Sequence, residues 1–136
     1  MAILARADAA AITDLIPGPL PHHARLRGPE TGLVMLRGRA GGDGAPFNLG
    51  EATATRCSVR LADGAVGHAW RLGRDTAAAE ASAVLDALLQ DPKEQAALLD
   101  AVIAPLAAAQ AEANARLARR AEATRVNFFT MAAMRS

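Results

Sequence analysis

The dipeptide Asp63-Gly64 lies between two segments in which apolar and polar side chains alternate, residues 55–61 and 66–72. Asp-Gly accepts the positive φ angles of a two-residue type I′ turn, and such alternation is typical of half-buried strands. We therefore predict an antiparallel hairpin with Asp63 and Gly64 as its central turn residues. No other feature of the 136-residue chain constrains its fold as strongly.

This turn fixes the predicted pairing of the two strands. One face is apolar and consists of the pairs Leu61–Val66, Val59–His68, Cys57–Trp70 and Thr55–Leu72. On the other face Arg56 lies directly opposite Arg71. Like charges opposite each other destabilise a sheet, so we expect a carboxylate, a partner subunit or a bound anion beside them. A shift of one residue would reverse the faces.

Cys57 and His68 fall on the predicted apolar face together with Trp70, which we interpret as the main core anchor. A nucleophilic Cys–His pair needs a hydrogen bond between its members, an orienting carboxylate and an oxyanion site. The sequence indicates none of these. We therefore interpret both residues as structural and predict no catalytic residue.

The candidate anion-binding or partner-binding residues are four arginines, Arg56, Arg60, Arg71 and Arg74. Guanidinium groups bind phosphate and carboxylate equally well. Two interpretations therefore stay open, a small anionic ligand and salt bridges within or between subunits. Within the chain, Glu51 and Asp75 are available as partners.

Composition limits the function further. Alanine dominates the apolar residues, and the aromatic residues are three Phe and one Trp, so we expect a thin core. Either burial is completed against a partner, another subunit or a second copy, or a GC-rich genome has favoured alanine and arginine. The net charge of +1 argues against a nucleic-acid-binding surface. A single cysteine, without a Cys/His cluster, indicates neither a metal site nor a cofactor.

The whole pattern predicts one α+β domain over residues 1–136. We expect an N-terminal helix (1–16), an antiparallel meander of three or four strands (22–72), helices (75–124) and an apolar tail (125–136). Two of the strands, 22–28 and 31–40, should be separated by Pro29-Glu30. Asp75 should cap a helix, and Pro105 should kink or end one. The N-terminus fits neither a signal peptide nor a membrane span, so we expect a cytoplasmic protein without a membrane partner.

The predicted last helix, residues 106–124, has high helix propensity but a weak apolar stripe. The tail that follows is apolar, although termini are usually polar and frayed. Either it folds back over the sheet, or it contacts another subunit. The candidate interface residues are Val126, Phe128, Phe129 and Met131.

Several separated motifs occur in order: ETGLVMLRGRAGG, PFNLGEATATRCSVRL, GHAWRLGRD, DALLQDP, VIAPL and RVNFFTM. In these motifs nearly the whole chain resembles the PhnG family, the G subunit of the carbon–phosphorus lyase core complex. Family members begin with further residues ahead of the part that matches LARAD. Asn127 stands where the family has Asp, and the five residues from Ala132 replace a Val-Arg-Gly run.

The resemblance implies a cytoplasmic role in bacterial phosphonate utilisation, in a complex with the H, I and J subunits. In that family the I subunit, supported by G, H and L, displaces adenine from ATP with a phosphonate, which gives ribose 1-phosphonate 5-triphosphate. The radical enzyme with an iron–sulfur cluster and S-adenosylmethionine is the J subunit, in agreement with the single cysteine here. The resemblance assigns no catalytic residue to the G subunit. The alternatives are a purely structural assembly subunit and a stand-alone enzyme that uses Cys57, His68 and the arginines.

Overall fold

The computed structural model describes residues 1–40 and 43–126, which form an antiparallel sheet of three strands with helices packed on one face. The strands, in spatial order, are β1 (His23–Arg39), β2 (Pro46–Leu61) and β3 (Val66–Leu72). The helices are α1 (Ala9–Thr13), α2 (Thr76–Leu88), α3 (Pro92–Leu98) and α4 (Ala104–Ala123). The predicted α+β class with an antiparallel meander is therefore confirmed.

The turn between β2 and β3 differs from the predicted one. The Leu61 N–H donates to the Ala65 carbonyl at 2.9 Å, which leaves a loop of three residues, Ala62, Asp63 and Gly64. Gly64 ends the loop with a φ of +95°, and the Asp63 carboxylate accepts from the Ala65 N–H at 2.9 Å. A three-residue loop with its last residue in the left-handed region is a common alternative to the type I′ turn. The prediction of a two-residue turn was wrong.

The extra loop residue moves the pairing by one position and reverses the faces of β3. Arg56 lies opposite Trp70 instead of Arg71, and Cys57 lies opposite Ala69. Trp70 is consequently 55% exposed and is not the core anchor that we expected, whereas Arg71 is only 9% exposed. The predicted orientation of β2 is correct, because Cys57, Val59 and Leu61 are buried.

Packing against α2 explains why β3 has this orientation. A Cβ atom placed on Gly67 would lie 2.0 Å from the Ala83 carbonyl oxygen and 2.6 Å from the Ala87 nitrogen, so the helix backbone rests directly on the strand. The neighbouring core side chains are also small, namely Ala69, Ala79, Ala83 and Ala87. Side chains as large as His68 or Trp70 do not fit beneath α2, and they therefore face away from it.

A second cluster joins the N-terminal segment to the helices. Its largest buried members are Leu4, Ile12, Leu85, Leu98, Val102 and Leu106. The segment that we expected to form one helix is instead a 3-10 turn, Leu4–Arg6, followed by α1. Ala7 between them is extended, and Asp8 caps α1 by accepting from the Ala11 N–H at 2.7 Å. An N-cap residue has non-helical dihedral angles, so Asp8 divides the segment.

β1 is one long edge strand rather than two strands. Register shifts between Arg25 and Arg27 and between Arg27 and Glu30 absorb the expected break at Pro29-Glu30. Proline is tolerated in a sheet at such bulges and edges. Because β3 covers β2 only as far as Ala54, residues 33–39 and 46–53 form a two-stranded arm. The exposed apolar side chains of this arm are Leu33, Met35, Leu36, Phe47 and Leu49.

The last helices are continuous from Pro92 to Ala123. Asp91 caps α3 through the Lys93 N–H, and a π turn, Leu99–Ile103, leads directly into α4. Of the two outcomes expected at Pro105, a kink or an end, the end does not occur, since the helix continues past this residue immediately after the π turn. From residue 111 onward every described side chain is exposed.

The 32-residue helical run is long and apolar enough, by length and composition alone, to cross a membrane. Alanine supplies much of this apolar character, and only 17% of the most apolar window is buried. Length and composition are weak indications of a membrane span.

A polar network ties β1 to α2. The Glu80 carboxylate accepts from Arg25 Nε at 2.6 Å and Nη2 at 2.8 Å, and it lies 3.0 Å from His23 Nε2. The hydrogen bonds from Arg25, together with the one from His23, lower the pKa of Glu80 despite its partial burial. The hydrogen bond to Glu80 is also the main reason why the pKa of His23 is raised.

Glu80→Gln should therefore change how stability depends on pH. The raised pKa of His23 means that its protonation stabilises the fold fully below its ordinary value of 6.5, an effect lost as pH rises through the folded-state pKa. We expect the loss in free energy of unfolding, measured with urea, to be larger at about pH 5.5 than at about pH 8.5. The pKa of His23, followed by NMR, should fall in the variant. Glu112→Gln, which breaks the exposed pair with Arg116, is the control and should show no such difference.

Gly67→Ala should test the close approach of α2 to β3. Because the added Cβ would overlap backbone atoms of α2, we expect the free energy of unfolding to fall by about 2 kcal/mol or more. Gly32→Ala is the matched control, because nothing lies within 4 Å of a Cβ at that position. Its effect should stay within about 0.5 kcal/mol. Equal effects of the two substitutions would contradict the packing described here.

Candidate functional site

The side of the sheet turned away from α2 carries the candidate functional side chains, and we call it the outer face. The register places alternate residues of each strand there. They are Glu30, Gly32 and Val34 of β1, Arg56, Ser58 and Arg60 of β2, and Val66, His68, Trp70 and Leu72 of β3. No helix of the described chain packs over the centre of this face, where Trp70 is more than half exposed.

Arg56 lies at the centre of the outer face and is held by two different neighbours. Its guanidinium carbon is 5.4 Å from the centroid of the Trp70 ring, within the range of a cation–π interaction. Its Nε and Nη2 donate to the Glu30 carboxylate at 3.2 Å and 3.0 Å. The expected negative neighbour therefore exists, and it is Glu30. An open pocket of about 260 Å³ lies beside these three side chains.

The predicted partners Cys57 and His68 lie on opposite faces of the sheet, because β3 is reversed. Cys57 is 1% exposed, its Sγ donates to the Arg27 carbonyl at 3.5 Å, and burial raises the pKa of its thiol. His68 is exposed, and its Nδ1 lies 2.9 Å from Ser58 Oγ. This geometry provides no Cys–His nucleophile pair.

The four predicted arginines do not form one cluster. Arg56 and Arg60 share the outer face, whereas Arg74 is exposed in the turn between β3 and α2. Arg71 is buried, donates from Nη2 to the Ala7 carbonyl at 2.7 Å, and lies 3.9 Å from Asp75 Oδ2. Arg71 therefore connects β3 to the N-terminal segment.

Two functional partners were missed by sequence reasoning. Glu30 stood in a presumed turn with Pro29, although a continuous β1 would have placed it opposite Arg56. Glu80 was not singled out in the sequence, yet it binds both His23 and Arg25. Both contacts join segments that are far apart in the sequence, so no local pattern indicated them.

The remaining predicted site residues lie near the C-terminus. Val126 is 68% exposed, in agreement with an interface role but without a partner that would test it. Phe128, Phe129 and Met131 lie outside the described residues. Among residues 1–40 and 43–126 there is no group of three or more His, Cys, Asp or Glu side chains that would hold a metal ion.

Comparison with known proteins identifies the family. Residues 1–134 match the family described as "Phosphonate metabolism protein PhnG". The chain belongs to the PhnG family. A curated relative from Rhizobium meliloti (strain 1021), described as "Alpha-D-ribose 1-methylphosphonate 5-triphosphate synthase subunit PhnG", is 50% identical over 111 residues. This alignment covers 82% of the present chain and 70% of the relative.

In this PhnG-family chain, the two faces of β2 can be distinguished by chemical labelling, because Cys57 faces the core and Arg60 faces solvent. Because Cys57 is buried and its thiol pKa is raised, we expect a maleimide to label it at neutral pH only after unfolding in urea. Arg60→Cys in a Cys57→Ala background is the control. A cysteine at this exposed position of β2 should be labelled in the native protein. Rapid native labelling of Cys57 would contradict its placement in the core.

Proposed function

We propose that this PhnG-family chain is the G subunit of a synthase that forms α-D-ribose 1-phosphonate 5-triphosphate by displacing adenine from ATP with an alkylphosphonate. It acts in the cytoplasm in a complex with the H, I and J subunits. The description of the Rhizobium meliloti relative as a synthase subunit supports the reaction and the membership of a complex. This description favours a role in the synthase over a purely structural role.

The surface of the chain supports a role as a subunit more than any single residue does. Trp70 and Leu72 are exposed on the outer face, and the two-stranded arm exposes Leu33, Met35 and Leu49 among others. A lone two-stranded hairpin is marginally stable in water, and a contiguous exposed apolar surface usually marks an interface. These elements therefore gain both burial and order from a partner.

On the outer face, the described residues present positive charge to the other subunits of the complex. Arg56 and Arg60 point outward from one strand, and Arg56 is already oriented by Glu30 and Trp70. Such guanidinium groups would bind either a partner carboxylate or a triphosphate. We assign Arg56 and Arg60 a supporting role in binding, not a catalytic one.

We extend the proposal to the C-terminal tail. Its candidate interface residues would contact a partner subunit, namely Val126, Phe128, Phe129 and Met131.

Reconstitution tests this function. Incubated alone with ATP and methylphosphonate, the purified chain should release no adenine above background. Cys57 is buried on the face opposite His68, and among the described residues no carboxylate is hydrogen-bonded to the His68 ring to orient the Ser58–His68 pair. Adding the I, H and L subunits should give turnover, and omitting the present chain from that mixture should lower the rate by at least about tenfold, or about 1.4 kcal/mol of activation free energy. Adenine release is measured by chromatography.

Two results would overturn the proposal. One is adenine release by the chain alone, which would make it an enzyme in its own right. The other is undiminished turnover by the remaining subunits without it. Arg116→Ala, which alters an exposed residue of α4, serves as the matched control and should support the wild-type rate.

A further inference from the structure

A pocket between the N-terminal 3-10 turn and the sheet is bordered, among the described residues, by two arginines and no acidic side chain. Its volume is about 550 Å³. The residues that line it are Ala5, Arg6, Val34, Ala54, Trp70, Arg71 and Leu72. Two positive charges beside one concave surface, without a carboxylate in its lining, make the pocket complementary to an anion.

Arg71, which lines this pocket, has N–H groups that lack a hydrogen-bond acceptor among the described residues. The residue is only 9% exposed, and Nη2 is its one nitrogen with a hydrogen-bond acceptor, the Ala7 carbonyl. Its Nε and Nη1 are buried without an acceptor among the described residues, and Asp75 Oδ2 is 3.9 Å from Nη2. Asp75 thus pairs with the charge of Arg71 without a hydrogen bond. Buried polar groups are nearly always hydrogen-bonded, so two buried N–H groups without an acceptor are unusual. A carboxylate that enters the pocket would supply an acceptor once the Arg71 side chain turns toward it.

The surroundings of Arg71 indicate what carries that carboxylate. Five of the seven lining residues are apolar, and Trp70 and Leu72 are 55% and 69% exposed. The pocket beside Arg56 shares Val34, Ala54 and Trp70 with this one, so the surface is continuous around the indole ring. Free phosphate would leave the apolar part in water, whereas a protein segment would cover it. Trp and Arg are also the residue types that dominate interface energies.

We propose that this surface, formed by Arg6, Trp70, Arg71 and Leu72, binds an acidic segment of a partner subunit. An Asp or Glu of that segment accepts hydrogen bonds from Arg71 and pairs with Arg6, while a neighbouring apolar side chain packs on Trp70 and Leu72. This inference rests on the proposed function, because it requires the H, I and J subunits as the source of the partner.

Binding of the purified chain to the co-expressed partner subunits tests the surface. We expect Arg71→Met and Trp70→Ala each to raise the dissociation constant at least tenfold. Arg71→Lys should give a dissociation constant between those of these variants and the wild type. The exposed α4 substitution Leu117→Ala is the control and should stay within twofold. Circular dichroism and urea unfolding check folding. Trp70→Ala keeps the test valid if Arg71→Met misfolds, since Trp70 is exposed.

A cross-linking experiment identifies the occupant. With p-benzoylphenylalanine in place of Leu72, irradiation of the assembled complex should join it to a partner peptide that contains Asp or Glu. A cross-linked peptide without either residue overturns the proposal, as does wild-type affinity in both Trp70→Ala and Arg71→Met. Displacement of the partner by millimolar inorganic phosphate or methylphosphonate would overturn it too, in favour of a small-anion site. If the wild-type chain binds none of the partner subunits, the proposed function itself fails and the inference fails with it.

Discussion

The contact on which the rest of the structure depends is that between α2 and Gly67 of β3. A helix backbone approaches a strand this closely only where the strand lacks a Cβ and its neighbours are alanines, as at Ala69, Ala83 and Ala87. The contact therefore determines which face of β3 is turned inward. With Gly67 and Ala69 inside, Trp70 must lie outside, and the outer face acquires its aromatic centre. The alanine content that first suggested a thin core is the means of this packing.

Sequence reasoning predicted features whose causes are local. Asp75 caps α2 through the Ala78 N–H as predicted, and the alternation of β2 correctly placed Cys57 and Val59 in the core. The orientation of β3 was not predictable in this way. Asp63-Gly64 fits both a two-residue and a three-residue loop, and only packing against α2, which follows later in the chain, distinguishes them. The same long-range dependence hid Glu30 as the partner of Arg56. The predicted pairing of Arg56 with Arg71 was wrong, and the role of the arginines in binding an anion or a partner stays a prediction.

α2 also protects the sheet edges near its own ends. Its Asp86 accepts from the His68 N–H, and Gln90 in the turn after it donates to the Val66 carbonyl, so the edge of β3 is paired with side chains. On the opposite edge, Glu80 binds His23 and Arg25 of β1. Unprotected edges favour association with other chains. On the arm formed by residues 33–39 and 46–53, the Gly73 N–H donates to the Thr53 carbonyl, and no further contact of this kind occurs within the described chain. The described structure therefore has one enclosed half and one that offers free strand edges.

This division has an energetic consequence. Burial of an alanine contributes less hydrophobic free energy than burial of a leucine. The small side chains beneath α2 therefore allow the helix to approach the sheet closely but add little to the free energy of unfolding. The distal arm and the end of α4 add almost no burial of their own, and neither a lone hairpin nor a lone helix is stable on propensity alone. A partner that binds only the folded chain stabilises it by mass action. Assembly is therefore the step that would order the arm, cover Trp70 and supply an acceptor for Nε and Nη1 of Arg71, which have none among the described residues.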